Sequence, residues 1–123
     1  MNNPKIVVIE DDDVLSKVVC DALSEAGFEV LQALDGEKGL EMVALQKPDL
    51  VLLDLLLPKK DGFEVLEELK KSSITHDIPV IILSMLSGDN IKKGLGLGAS
   101  DYIVKSQHVM DEIVEKVKDF FNK

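Results

Sequence analysis

Two apolar runs in this chain end in carboxylates: Ile6–Ile9 leads straight into Glu10, Asp11, Asp12 and Asp13, and Leu50–Leu53 ends at Asp54. If Glu10, Asp11 and Asp54 converge within ~4 Å, each pair repels by about 1 kcal/mol in water and about 4 kcal/mol at an effective dielectric of 20. Such a cluster requires a cation. Oxygen ligands alone, with no histidine or cysteine beside them, select Mg²⁺ or Ca²⁺ over zinc. One of the acidic residues, Asp12 or Asp13, is expected to cap the helix that follows, which accounts for one carboxylate and not for the rest.

Two further runs end in groups of different chemistry. Val80–Leu83 ends in Ser84, and Tyr102–Val104 ends in Lys105. A lone serine or lysine at such a place is usually incidental. Taken together, a carboxylate pair, a further carboxylate, a hydroxyl and an ammonium make a phosphoryl site. Cation and lysine neutralise oxygens, the hydroxyl donates a hydrogen bond, and one aspartate is the nucleophile.

The elements that must bring these groups together are legible as short apolar runs near residues 6, 28, 50, 80 and 102, with helical periods between them. Continuous runs suit strands buried on both faces of a parallel sheet, whereas the alternation of Phe28, Glu29 and Val30 suits a strand near an edge. Val14, Leu15, Val18, Val19, Ala22 and Leu23 share a helical face, as do Met110, Ile113, Val114, Val117, Phe120 and Phe121. Gly27 stops the first helix, Asp35 and Pro48 bracket a second, and Asp61 with Glu64 forms a capping-box pattern that opens a third. Five βα units in succession imply an α/β, doubly wound, five-stranded parallel sheet with right-handed crossovers. In that architecture the functional crevice lies outside the carboxyl ends of the strands, where the groups above all fall.

Composition narrows the function. A chain of 123 residues, 46% hydrophobic and 30% charged, is expected to fold as one domain over residues 1–123, with no linker and no second domain. Its net charge is −9 and every basic residue is lysine, which argues against direct nucleic-acid binding. No apolar run approaches the roughly 18 residues of a membrane span, and Met1–Pro4 has no signal pattern, so a cytoplasmic location without membrane insertion is expected. Cys20 is the sole cysteine, which excludes an internal disulfide; its phase puts it off the apolar face as an inert, partly exposed thiol.

The segments IVVIEDDD, PDLVLLDLLLPKKDG, PVIILS and GASDYIVK resemble the receiver domain of bacterial two-component response regulators, chemotaxis-regulator-like and single-domain, over essentially the whole chain. The spacing of Asp54, Pro58, Asp61 and Gly62 is the specific part. The resemblance implies a flavodoxin-like fold with strand order 2-1-3-4-5. It makes Asp54 the phosphoacceptor, Glu10 and Asp11 the acidic pair for Mg²⁺, and Leu56 the donor of a backbone carbonyl to that metal. Ser84 matches the hydroxyl that turns toward the phosphoryl group, Lys105 the lysine that pairs with it, and Tyr102 the aromatic whose rotamer follows activation. The implied partners are a sensor histidine kinase or phosphotransfer protein and an unidentified downstream protein, which reads a surface made by the fourth helix, fifth strand and last helix. The implied chemistry is no enzyme turnover beyond the domain's own phosphorylation and dephosphorylation.

Several positions depart from the family's pattern. Glu10 for aspartate and Ser84 for threonine are mild. Met85 stands where a small residue is usual and is expected to narrow access to Asp54. Ser106 stands where proline is usual, which disfavours a cis peptide after Lys105 by about 2.5 to 4 kcal/mol. Leu56 and Leu86 offer no side chain to orient an attacking water, so slow loss of the phosphoryl group is expected. Gly94 and Gly96 each cost about 1 kcal/mol in the fourth helix, which is expected to be marginal and mobile. Their GxGxG pattern is not a dinucleotide fingerprint. His76 and His108 suggest no phosphodonor or metal ligand, and Lys59 and Lys60 beside Asp61 read as solvent-facing, with partner recognition as the alternative. A dehalogenase-type phosphatase would want an acid at Leu56, a flavin binder would not place Glu10–Asp13 at a phosphate, and a pseudo-receiver would leave Asp54 unmodified.

Overall fold

The computed structural model describes residues 3–106 and 109–122. Along the chain run β1 (Lys5–Ile9), α1 (Asp13–Glu25), β2 (Glu29–Ala33), α2 (Gly36–Gln46), β3 (Leu50–Leu53), α3 (Gly62–Lys71), β4 (Val80–Ser84), α4 (Asp89–Gly96), β5 (Asp101–Val104) and α5 (Val109–Phe121). All strand pairings are parallel, in the order β2-β1-β3-β4-β5. The alternating strand β2 is an edge, and the apolar runs β1, β3 and β4 are interior and buried almost throughout, as their patterns require.

Two apolar clusters sandwich the sheet. One face carries Val7, Ile9, Val51, Leu53 and Ile82 against α2 and α3, with Leu66 and Leu69 of α3 among its largest members. The other carries Ile6, Val8, Leu50, Leu52 and Ile81 against α1 and α5 through Val19, Leu23, Ile113 and Val117. No helix among the described residues is long and apolar enough to cross a membrane.

α1 is rotated from its expected phase. Val14 and Val18 face solvent at 74% and 45% exposure, and Ser16 is buried instead. The Ser16 hydroxyl is satisfied by donating to Gln32 Oε1 of β2 at 3.0 Å, so a polar side chain takes a core position without an unpaired group. Cys20 moves with this rotation and packs half-buried against the α1–α5 cluster, where burial pushes its thiol pKa up. The capping readings hold at Asp12, which accepts from the Val14 and Leu15 amides, at Asp35, which accepts from Lys38, and at Asp61, which accepts from Phe63. Gly27 follows α1 with φ of +102°. Lys59 and Lys60 are tied to Asp35 and Glu68 at 3.5 and 2.6 Å. His108 lies outside the described residues.

Candidate functional site

Register places the chemistry. Ile9 pairs with Leu53, so the next residues, Glu10 and Asp54, emerge side by side at the carboxyl edge. Both backbones stay in the ladder for one more bond: the Glu10 amide donates to Ala33 O and the Asp54 amide to Ile9 O, each at 3.0 Å. Ser84 pairs with Val104, and the Lys105 amide donates to Ser84 O at 2.8 Å, which carries the lysine to the same edge. Glu10 and Asp54 are 2% and 4% exposed, while Asp11 is open to solvent. One oxygen from each of Glu10, Asp11 and Asp54 falls within 4.8 Å of the other two.

Lys105 is the cation of this pocket. Its Nζ stands 2.9 Å from Glu10 Oε2 and 3.2 Å from Asp54 Oδ2. The Lys105–Ser106 peptide is trans, and the ammonium reaches both carboxylates nonetheless. Burial pushes the Glu10 carboxyl up to about 7; the Lys105 hydrogen bond opposes this and the charge of Asp54 adds to it. Burial alone would lower the Lys105 pKa, but Glu10 and Asp54 outweigh it and hold the ammonium above the ordinary lysine value. Three carboxylates and one ammonium leave unbalanced negative charge, and the donors are all oxygen, so the residues fit a hard divalent cation.

The remaining predicted residues surround this pocket. The Leu56 amide donates to Asp54 Oδ1 at 3.3 Å, and its side chain is 52% exposed. Ser84 is fully buried and its hydroxyl accepts from the Leu86 amide at 3.3 Å. The Tyr102 ring lies inside, 8% exposed, and its hydroxyl donates to Leu86 O at 2.6 Å. Met85 is a rim residue, 70% exposed. The fourth helix is formed over Asp89–Gly96 despite its glycines.

Two features escaped the sequence reading. Glu10, expected from the resemblance to hold the metal, also binds Lys105, a partner 95 residues away to which no feature of the sequence ties it. Gly62 entered only as part of a motif. A Cβ there would overlap Asp54 O and Leu55 Cα, so α3 starts by passing directly over the backbone that leaves β3, and the Gly62 amide donates to Leu55 O at 3.0 Å.

Fold and site together define a flavodoxin-like α/β domain with an acidic, lysine-bridged pocket at its carboxyl edge. The response regulator receiver domain model matches residues 6–118. The DNA-binding dual master transcriptional regulator RpaA of Synechocystis is 41% identical over 116 residues, covering 94% of this chain and 48% of its own length. The BeF3-activated N-terminal receiver domain of Klebsiella pneumoniae RstA superposes with a TM-score of 0.86 at 32% identity, covering 97% of this chain and 99% of that one. The Mn²⁺-bound form of response regulator Rcp1 does so with a TM-score of 0.80 at 31% identity, covering 96% and 94%. The chain belongs to the response regulator receiver domain family, whose members are phosphoryl-accepting regulatory domains and not classical enzymes. It spans about half the length of the curated relatives it matches, 48% for RpaA.

Proposed function

We propose that residues 1–123 act as one receiver unit in which Asp54 takes a phosphoryl group from a phosphohistidine on a sensor histidine kinase or phosphotransfer protein, with Mg²⁺ as cofactor. The observation that carries this reading is Lys105 bridging Glu10 and Asp54 beside a third carboxylate, Asp11. An Asp54 oxygen attacks phosphorus, the phosphorus–nitrogen bond of the donor breaks, and its electron pair returns to the imidazole. Glu10, Asp11, Asp54 and the backbone carbonyl of Leu56 would hold the metal, and the Mn²⁺-bound relative Rcp1 supports a divalent ion here. When bound, that ion neutralises phosphoryl oxygens and relieves the carboxylate repulsion.

Lys105 already stands 3.2 Å from Asp54 and pairs with a phosphoryl oxygen once Asp54 is modified. Ser84 turns its hydroxyl toward another, and Tyr102 follows. The added charge, about −1.5 to −2, biases a two-state surface formed by α4, β5 and α5, which a separate cytoplasmic protein target reads. The domain catalyses only its own aspartyl phosphorylation and dephosphorylation, without itself contacting nucleic acid or membrane.

Incubation with Mg²⁺ and a small phosphodonor or a cognate kinase, followed by intact mass measurement, tests this. The wild type gains one phosphoryl group and Asp54→Asn gains none. No gain in the wild type, even with a kinase, would reduce the domain to an interaction module.

A further inference from the structure

Helix propensity treats Gly94 and Gly96 alike, as two weak points in α4. The packing does not. A Cβ on Gly96 would meet nothing within 4 Å. A Cβ on Gly94 would lie 2.5 Å from Ile82 Cδ1, and 3.4 and 3.6 Å from Tyr102 Cδ2 and Cε2. Ile82 and Tyr102 are directly opposite one another across β4 and β5, so they share a face of the sheet. Gly94 is the buried residue of α4 that rests on this pair, and Ile82 is itself fully buried. On its other flank the helix is pinned by Lys93, whose ammonium lies 4.3 Å over the Phe63 ring of α3. Ile91 and Leu97 pack into the same cluster.

We infer that Gly94 is a positioning residue for Tyr102: the missing Cβ lets α4 lie flat on the Ile82–Tyr102 pair, and this contact holds the tyrosine ring inside. The ring then reaches Leu86 O in the loop that joins Ser84 to α4, with its hydroxyl donating at 2.6 Å. A side chain at Gly94 must lift the helix or displace Ile82 Cδ1, and where the helix lifts the ring loses one wall of its seat. The functional weight of this seat rests on the reading of Tyr102 as the switch; its existence does not.

Tyr102 is the only tyrosine and the chain has no tryptophan, so intrinsic fluorescence reports on this ring alone. Five unphosphorylated proteins decide the matter: wild type, Gly96→Ala, Gly94→Ala, Ile82→Val and the Gly94→Ala/Ile82→Val double variant. Ile82→Val is chosen because it deletes Cδ1, the atom that the new Cβ meets at 2.5 Å. Gly96→Ala raises Tm and leaves acrylamide quenching of Tyr102 unchanged. Gly94→Ala lowers Tm, and quenching rises roughly twofold as the ring leaves its buried seat. The double variant returns quenching to the Ile82→Val value.

The inference is overturned if Gly94→Ala raises Tm as Gly96→Ala does with quenching unchanged, or if removing Cδ1 restores nothing. Should Gly94→Ala fail to fold, a folded double variant with a protected ring supports the seat, and an unfolded one overturns it. Phosphoryl gain on Asp54, read separately by mass, distinguishes the two levels. Its absence in the wild type would remove the switch reading while leaving the Tyr102 measurements to stand or fall alone.

Discussion

The pocket around Asp54 and the corner around Tyr102 are built on different principles. In the pocket, residue type decides: buried carboxylates repel one another and draw one ammonium to 2.9 and 3.2 Å, and any chain that brings them to one edge inherits the same electrostatics. In the corner, shape decides. A glycine, an isoleucine methyl and an aromatic ring fit together, and none of them carries charge. Chemistry placed by charge is exposed to pH and ions, whereas a ring placed by packing is exposed to single methyl groups.

The largest test of the pocket is to remove its cation. Lys105→Met leaves Glu10 and Asp54 buried and unpaired, which should cost about 3 kcal/mol at pH 8, as for other broken buried pairs. The loss should shrink at pH 5, where Glu10 can take up a proton instead, and urea melts at the two pH values measure both figures.

A second test follows from Glu10 itself. Its carboxyl sits at about 7 in the fold against an ordinary 4.5, so between these values the folded protein binds more protons than the unfolded chain. Metal-free stability should therefore fall as pH rises from 4.5 to about 7, and Glu10→Gln should flatten that slope in urea melts. Divalent-ion affinity should move the opposite way, strengthening as pH rises through about 7, because proton and cation compete for one carboxylate. Calorimetric titration with Mg²⁺ at pH 6 and pH 8 reads the sign.

The boundary between pocket and corner is tested by the phosphoryl lifetime. Leu86 meets the site through its amide and carbonyl, and its apolar side chain has nothing with which to align a water. A polar replacement such as Leu86→Gln should shorten the lifetime about tenfold, equivalent to about 1.4 kcal/mol of barrier. A decay unchanged by this substitution would mean that water is ordered elsewhere. The smallest effect is expected at Asp12. Its carboxylate caps α1, so Asp12→Ala should cost about 1 kcal/mol in thermal melts and leave metal affinity unchanged, unlike Asp11→Ala.

Much of the fold could be read because strand burial and charge both leave a mark on residue type. Four apolar runs ending in carboxylate, hydroxyl or ammonium announce a sheet and its active edge. The phase of α1 was not legible, since Ser16 looks like a surface residue until Gln32 of a neighbouring strand is known to accept its hydroxyl. Nor was the worth of individual glycines: Gly94 and Gly96 are identical letters two positions apart, and only the tertiary neighbours of one of them distinguish it. The link from Glu10 to Lys105 spans 95 residues of sequence and depends on side-chain reach, which composition does not encode.

The amides of Glu10 and Asp54 prolong the ladder into Ala33 and Ile9, whereas that of Leu86 is held by a single hydroxyl oxygen at 3.3 Å. Deuterium should therefore enter the first two only when the sheet comes apart as a whole, and the third whenever a short loop breathes. The chain thus carries two clocks a few residues apart in space: one counts global unfolding, and the other counts the local openings through which Tyr102 would pass.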